Sequence, residues 1–339
     1  MCPSPARRSL ARRAYGALHR GVVGSLNRLG WVVAPVRDYY HALRPVAELE
    51  RHAGRWHRPS ALSGIAFDLP AMEAALAGLV ADFGAEHAAL PAYDAIKEQR
   101  RGPGFTRVDA LTLYAMLRRV RPARYLEVGS GLSTWYAAQA AARNAAEGRP
   151  MAMTVVDPYV SAGTRALPGV ESVAREAQDL SASWYAERLV AGDVLFIDST
   201  HVVRIDGEVP HLVLEVLPAL APGVVVHVHD VHFPYNVPVL PGAYVSARRW
   251  PMLFTEAMLV QAYLCHNPRV ELLLSTPLLR FHREEVLHKL VPGYQSLSAE
   301  DFDTHHGSLW LRTREPAAAA SATPASEASS RRQRAAPAG

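Results

Sequence analysis

The chain has 339 residues, about half of them apolar and a fifth charged, enough for one large α/β domain with extensions and ordinary for a globular protein. Its two cysteines, Cys2 and Cys265, sit near opposite ends, which excludes a disulfide framework or a CxxC metal or redox site and suits a reducing compartment. The net charge of +4 belongs to the ends: residues 1–37 hold seven arginines and no carboxylate, the last 25 residues add +1, and residues 38–314 carry −4. A nucleic-acid-binding core is therefore not indicated.

Residues 1–60 read as a basic helical lead-in, with Trp31, Tyr39 and Tyr40 as an aromatic knot. Leu10, Leu18, Val22, Leu26 and Leu29 recur at helical spacing among the arginines. They describe either a helix whose apolar stripe packs on the domain or a basic amphipathic helix resting on an anionic membrane through residues 1–30. No run reaches the roughly 18–20 consecutive apolar residues of a membrane span, and no apolar core precedes a small-residue cleavage site. The expected location is cytoplasmic, with peripheral contact at the inner membrane surface if the second reading of the lead-in holds.

Residues 61–120 read as a helical cap on the substrate side. Leu69 to Phe83 carries Met72, Leu76, Leu79, Val80 and Phe83 on one face, and a second helix, Arg107 to Val120, follows the Gly-Pro-Gly break at 102–104. Residues 121–314 alternate short apolar runs with helical patterns. The runs are Arg124–Val128, Ala152–Val156, Ser172–Ala174, Val194–Ile197 and Val224–Val228, then Val270–Ser275 and Ser308–Arg312. Buried parallel strands joined by right-handed helical crossovers account for the first five, and a late antiparallel hairpin for the rest. The class is α/β, a Rossmann-like doubly wound sheet. Residues 315–339, rich in Ala, Ser and Pro without periodicity, read as a disordered tail.

The chemistry gathers at strand ends. Tyr125-Leu-Glu127-Val-Gly129-Ser-Gly131-Leu-Ser133-Thr134 runs from a strand into a helix; its glycines allow a tight turn and close ligand approach, with Ser133 or Thr134 as the expected cap. A nicotinamide fingerprint would want glycine at 134. Glu127, two before the first glycine, is instead typical of sites holding the amino group of a methionine moiety. Asp157 ends the next strand, where a carboxylate accepts from ribose hydroxyls, and Glu176-Ala177-Gln178-Asp179 follows the third strand, where an adenine edge would lie. Asp198 ends a fully apolar strand within Leu195-Phe-Ile-Asp-Ser-Thr-His201. His227, His229 and Asp230 end the fifth strand, with His227 and His229 on one side.

Taken in order, LFIDSTH at 195–201, HVHDVHFP at 227–234 and GSLWLR at 307–312 resemble the class I S-adenosylmethionine-dependent methyltransferases, in a bacterial branch bearing such strands. The likeness spans about Arg37 to Arg312. It implies a seven-stranded sheet of order 3-2-1-4-5-7-6 with strand 7 antiparallel. It implies S-adenosylmethionine as cofactor, with Glu127, Gly129, Gly131 and Ser133 at the methionine end, Asp157 on the ribose, Gln178 and Asp179 near the adenine, and Asp198 beside them. A looser resemblance to metal-assisted catechol O-methyltransferases sets Asp198 on a metal-binding aspartate, His201 on a catalytic lysine, and His229 and Asp230 on an Asp-Asn pair.

These likenesses imply an enzyme that methylates, on oxygen, a small-molecule or glycan-like acceptor. His201, His229 and Asp230 are the catalytic candidates, and Asp198, His229 and Asp230 the metal candidates. A histidine near neutral pKa would take the hydroxyl proton directly, whereas a divalent ion would lower the pKa of a bound hydroxyl; the histidine substitutions argue against magnesium and leave both routes open. Thr255-Glu256 opens the next helix where the family pattern has Asn-Glu, making Glu256 a further substrate-site candidate. The 231–250 loop, with Phe233, Tyr235, Tyr244 and Trp250, lies where an acceptor pocket or lid would be. Two other readings are an NAD-dependent oxidoreductase and a non-catalytic partner that docks by its basic N-terminus.

Overall fold

The computed structural model describes residues 20–32, 44–99, 104–246 and 251–315. Leu10, Leu18, Tyr39, Tyr40, Trp250 and the tail from residue 316 lie outside them. The chain divides into two compact units, residues 1–56 and 57–339. In the first, residues 20–28 are helical and two short helices follow, Val46–Arg51 and Ala53–Trp56. None of its described residues is buried: Val22 is 52% exposed, Leu29 73% and Trp31 50%. No helix among the described residues is long and apolar enough to cross a membrane.

The second unit is built on seven strands: β1 (Arg124–Val128), β2 (Ala152–Val156), β3 (Val170–Val173), β4 (Val194–Ile197), β5 (Val225–Val228), β6 (Val270–Ser275) and β7 (Leu309–Thr313). They form one sheet of order β3-β2-β1-β4-β5-β7-β6, as the resemblance implies. The first five are parallel, and β7 runs antiparallel to both β5 and β6, with a register irregularity between Leu272 and Leu274. The reason lies in the side chains. β4 (Val-Leu-Phe-Ile) and β5 (Val-Val-His-Val) are buried at every position, as strands covered on both faces must be.

Expected and observed ends differ by a residue or two at β3, β5 and β7, where pairing rather than the apolar run sets the limit. The 69–88 helix runs past Phe83 to Ala88. Gly84 does not stop it, because Glu86 in the added turn accepts from Tyr114 and from Arg118, a buried guanidinium on the neighbouring Arg107–Val120 helix. Asp68 caps the 69–88 helix by accepting from the Ala71 N–H at 3.0 Å. Thr106 and Asp109 form a reciprocal capping box at the start of the 107–120 helix. That cap buries Asp109 completely directly beneath the carboxyl edge of β5.

Candidate functional site

Parallel topology brings the carboxyl ends of β1, β2, β4 and β5 to one edge, where the switch in strand order opens a crevice. Gly129 leaves β1 with φ +87°, and a Cβ there would stand 1.9 Å from the Asp198 carbonyl oxygen. Only glycine lets the β1 turn pass so close to the end of β4. Its N–H donates to the Val156 carbonyl at 3.0 Å, locking the turn to β2.

The helix that follows, Leu132–Ala146, is capped at Gly131, not by Ser133 or Thr134 as expected from sequence. Thr134 accepts the Gly131 N–H through its hydroxyl at 3.0 Å. Ser133 is already within the first turn and points down, donating to Glu127 Oε1 at 2.5 Å. Glu127 is fully buried, and its second oxygen, Oε2, has no hydrogen-bond partner among the described residues. Burial pushes its carboxyl up to about 8, against the pull of the Ser133 and Thr134 hydroxyls. A buried carboxylate with an idle oxygen at a glycine turn fits a ligand ammonium. The third-glycine position of a nicotinamide site is held by buried Thr134, and no observation supports the oxidoreductase reading or that of a non-catalytic partner.

A cavity of about 480 Å³ opens above this turn, lined by Gly129, Ser130, Asp157, Gln178, Asp198 and Glu208 among others. Asp157 is fixed from two sides: Ser130 Oγ donates to Oδ2 at 2.5 Å and the Tyr159 N–H to Oδ1 at 2.7 Å. Gln178 donates to Glu176 at 2.5 Å. Asp179 does not join them; it is exposed, 3.9 Å from Arg175 and outside the lining, as are the expected Glu127, Gly131 and Ser133, which are buried beneath the turn. Two lining residues, Arg204 and Glu208, were not foreseen. Glu208 accepts from the Thr200 N–H at 2.9 Å and from its hydroxyl, and lies 3.2 Å from Arg204.

Asp198 belongs to two neighbourhoods. One side lines the cavity; Oδ1 lies 3.2 Å from His201 Nε2 and 3.4 Å from His229 Nδ1. Asp230 faces the same two rings, with Oδ2 at 3.5 Å from His201 and Oδ1 at 3.7 Å from His229. Each imidazole is backed on its other nitrogen by a buried carboxylate. Glu256 Oε2 is 2.8 Å from His201 Nδ1, and Asp109 Oδ2 is 3.2 Å from His229 Nε2. Asp109 also accepts from the Gly307 N–H at 3.2 Å and the Ser308 hydroxyl at 2.6 Å, so β7 and the 107–120 helix together aim His229.

Sequence reading raised Glu256 and missed Asp109. The Thr106-x-x-Asp109 spacing was available, but it signals a capping box and nothing more. His227, on the same side of β5 as His229, is a core residue stacked on Phe196 with centroids 4.4 Å apart; burial lowers it to about 3, so it stays neutral.

Electrostatics separate this cluster from a simple base. Burial disfavours charge on His201, yet Asp198, Glu256 and Asp230 outweigh it and push the ring up to about 10. His229 is raised for the same reasons through Asp230, Asp198 and Asp109. Burial would raise Asp198, but the two imidazoles hold it well below the usual carboxylate range. In the free site the surrounding carboxylates thus hold both rings above the near-neutral range expected of a base. His201 and Asp230 also adopt left-handed backbone, φ +60° and +54°, conformations that cost non-glycine residues about 1 kcal/mol or more and concentrate at functional sites. One set of ligand-capable atoms, on Asp198, His201 and His229, lies within 4.8 Å of one another. It differs from the expected metal set in holding His201 in place of Asp230.

Residues 126–231 match the family model described as a methyltransferase domain. No curated protein matches the chain. Among solved structures, the O-methyltransferase TomG from Streptomyces achromogenes is 15% identical, with 79% of this chain and 96% of that one covered and a TM-score of 0.40. An O-methyltransferase from Bacillus cereus is 13% identical, covering 79% and 97%, TM-score 0.36. A 1,6-didemethyltoxoflavin-N1-methyltransferase from Burkholderia thailandensis is 16% identical, covering 76% and 94%, TM-score 0.36. Sheet order and family match agree on the fold: residues 126–231 of this chain are similar to a methyltransferase domain, set in a seven-stranded sheet with an antiparallel β7.

Proposed function

We propose that the protein transfers a methyl group from S-adenosylmethionine to a hydroxyl of a small-molecule acceptor. The observation that carries this reading is Glu127, a fully buried carboxylate with one idle oxygen under the glycine turn. It would receive the methionine ammonium, with Asp157 on the ribose hydroxyls and Gln178 toward the adenine. The cofactor supplies the electrophilic methyl. What the chain must do is orient the acceptor and dispose of its proton.

The His201–His229 pair is suited to the second task. Asp109 and Glu256 each hold the far nitrogen of one ring, which leaves His229 Nδ1 and His201 Nε2 directed at the gap between Asp198 and Asp230. A carboxylate behind the ring is how an imidazole base is steadied, and the positive charge of a bound sulfonium beside Asp198 would lower rings that the free site holds protonated. A second reading is favoured by the same pairing. Histidines that ligate metals characteristically donate their other ring N–H to a carboxylate, and both rings here do so around Asp198. The mixed nitrogen and oxygen donors suit manganese, iron or zinc better than magnesium. A divalent ion there would act as a Lewis acid on the acceptor oxygen.

Calorimetric titration with S-adenosylhomocysteine tests the cofactor reading. Wild type should bind and Glu127→Gln should bind at least about tenfold more weakly; absence of binding to wild type would sink the proposal. His201→Ala and His229→Ala should keep cofactor affinity while at least one loses turnover, and full turnover in both would remove the pair from the mechanism. Chelator treatment followed by metal analysis separates the two routes: activity lost on chelation and restored by one ion supports the second.

A further inference from the structure

A second cavity, of about 330 Å³, lies at the carboxyl ends of β5 and β6, between the segment leaving β5 at 232–239 and the Thr276–Leu290 helix. It abuts the histidine cluster, because His232, in its lining, has Nε2 3.8 Å from Asp230 Oδ1. Two lining groups are anomalous. Arg280 is 9% exposed, yet its hydrogen bonds go only to the backbone carbonyls of Thr304 at 3.4 Å and His306 at 3.3 Å. No carboxylate among the described residues pairs with it. Glu284, also in the lining, accepts from the Tyr294 hydroxyl at 3.0 Å instead. His232 is 1% exposed, and neither ring nitrogen has a hydrogen-bond partner among the described residues.

Burying a guanidinium without a counter-ion is costly, and so is an unsatisfied imidazole. Both costs fall when an anion enters. The arginine fork matches the oxygens of a carboxylate or phosphate, and a neutral imidazole supplies one further N–H. The remaining walls include Phe233, Tyr235 and Phe281, the last two packed edge to face at 6.1 Å, which suit an apolar or aromatic body. We propose that this cavity receives the anionic end of the methyl acceptor, a carboxylate or phosphate held by Arg280 and His232, so that the substrate class is a hydroxylated organic anion. The inference rests on the methyltransferase reading above.

The test uses the full-length protein saturated with S-adenosylhomocysteine, titrated calorimetrically with 3,4-dihydroxybenzoate, its neutral amide and phenyl phosphate. At least one anion should bind about tenfold or more tightly than the amide, and whichever anion prevails identifies the group. Arg280→Gln should reduce the anion to the amide's affinity and leave cofactor affinity unchanged. Leu297→Trp, which narrows the cavity without altering Arg280, should also abolish anion binding, and it carries the test if Arg280→Gln fails to fold. Equal binding of acid and amide, no binding of either anion, or undiminished anion affinity in a variant that still binds cofactor overturns the proposal. Failure of wild type to bind S-adenosylhomocysteine overturns the underlying reading instead.

Discussion

Glu127 illustrates how one side chain sets a pH response. Its carboxyl rises from an ordinary 4.5 to about 8 because burial disfavours the charge. The folded protein thus holds this proton more tightly than the unfolded chain. Its contribution to stability is complete below about pH 4.5 and is lost as pH climbs through 8, at up to about 1.4 kcal/mol per pH unit in between. Denaturant unfolding of the cofactor-free protein should therefore lose stability between about pH 5 and 8, and Glu127→Gln should flatten that slope. An unchanged slope would mean that Glu127 is already ionised. Asp109 gives a different signature. Asp109→Asn removes the carboxylate behind His229 while nearly preserving shape, so turnover should fall by on the order of 10- to 100-fold with cofactor affinity intact. The acid limb of the rate profile should move to lower pH as the imidazole loses its counter-charge; a uniform loss without that movement would indicate a merely structural role.

At the scale of elements, the passage of the turn leaving β1 against the end of β4, its parallel neighbour, is the tightest constraint in the site. Gly129→Ala adds a Cβ 1.9 Å from a backbone carbonyl at a left-handed position, so it should cost on the order of 3 kcal/mol. A fall in melting temperature of roughly 5 °C, with cofactor binding lost, is the expected outcome in a thermal unfolding series. This turn was legible in the sequence because Glu127 near the end of a strand and Gly129 just after it stand at fixed offsets, and Asp157 and Asp198 were legible because each follows an apolar run. The opposite half of the site was not. Asp109 precedes His229 by 120 positions, and no local pattern distinguishes a capping carboxylate from one that also steers an imidazole. Arg280 was hidden in the same way, as one charge in a charged helical segment whose buried face only tertiary packing reveals. The helix end at Ala88 escaped notice because Arg118, on another helix, anchors Glu86.

For the whole molecule, every strand among the described residues and the two cavities described above belong to residues 57–339. The basic lead-in contributes no buried residue among those described. We expect a protein lacking residues 1–56 to keep its melting temperature within a few degrees and to bind S-adenosylhomocysteine as the full chain does. Loss of folding on that truncation would assign the lead-in a structural role. If the arginines serve an anionic membrane, co-sedimentation with phosphatidylserine vesicles should disappear in the same truncated protein and weaken with salt.

The Asp109 knot has a kinetic consequence. It joins a helix near residue 107, the end of β5 and the Gly307–Ser308 entry to β7, contacts separated by up to 199 positions. Such distant closures form late, because the entropy of closing the intervening loops must be overcome first. The cofactor crevice draws only on β1 to β4 and their turns, which can pair before β7 arrives. During refolding, cofactor affinity should therefore return ahead of turnover. The interval between the two would time the docking of the last strand.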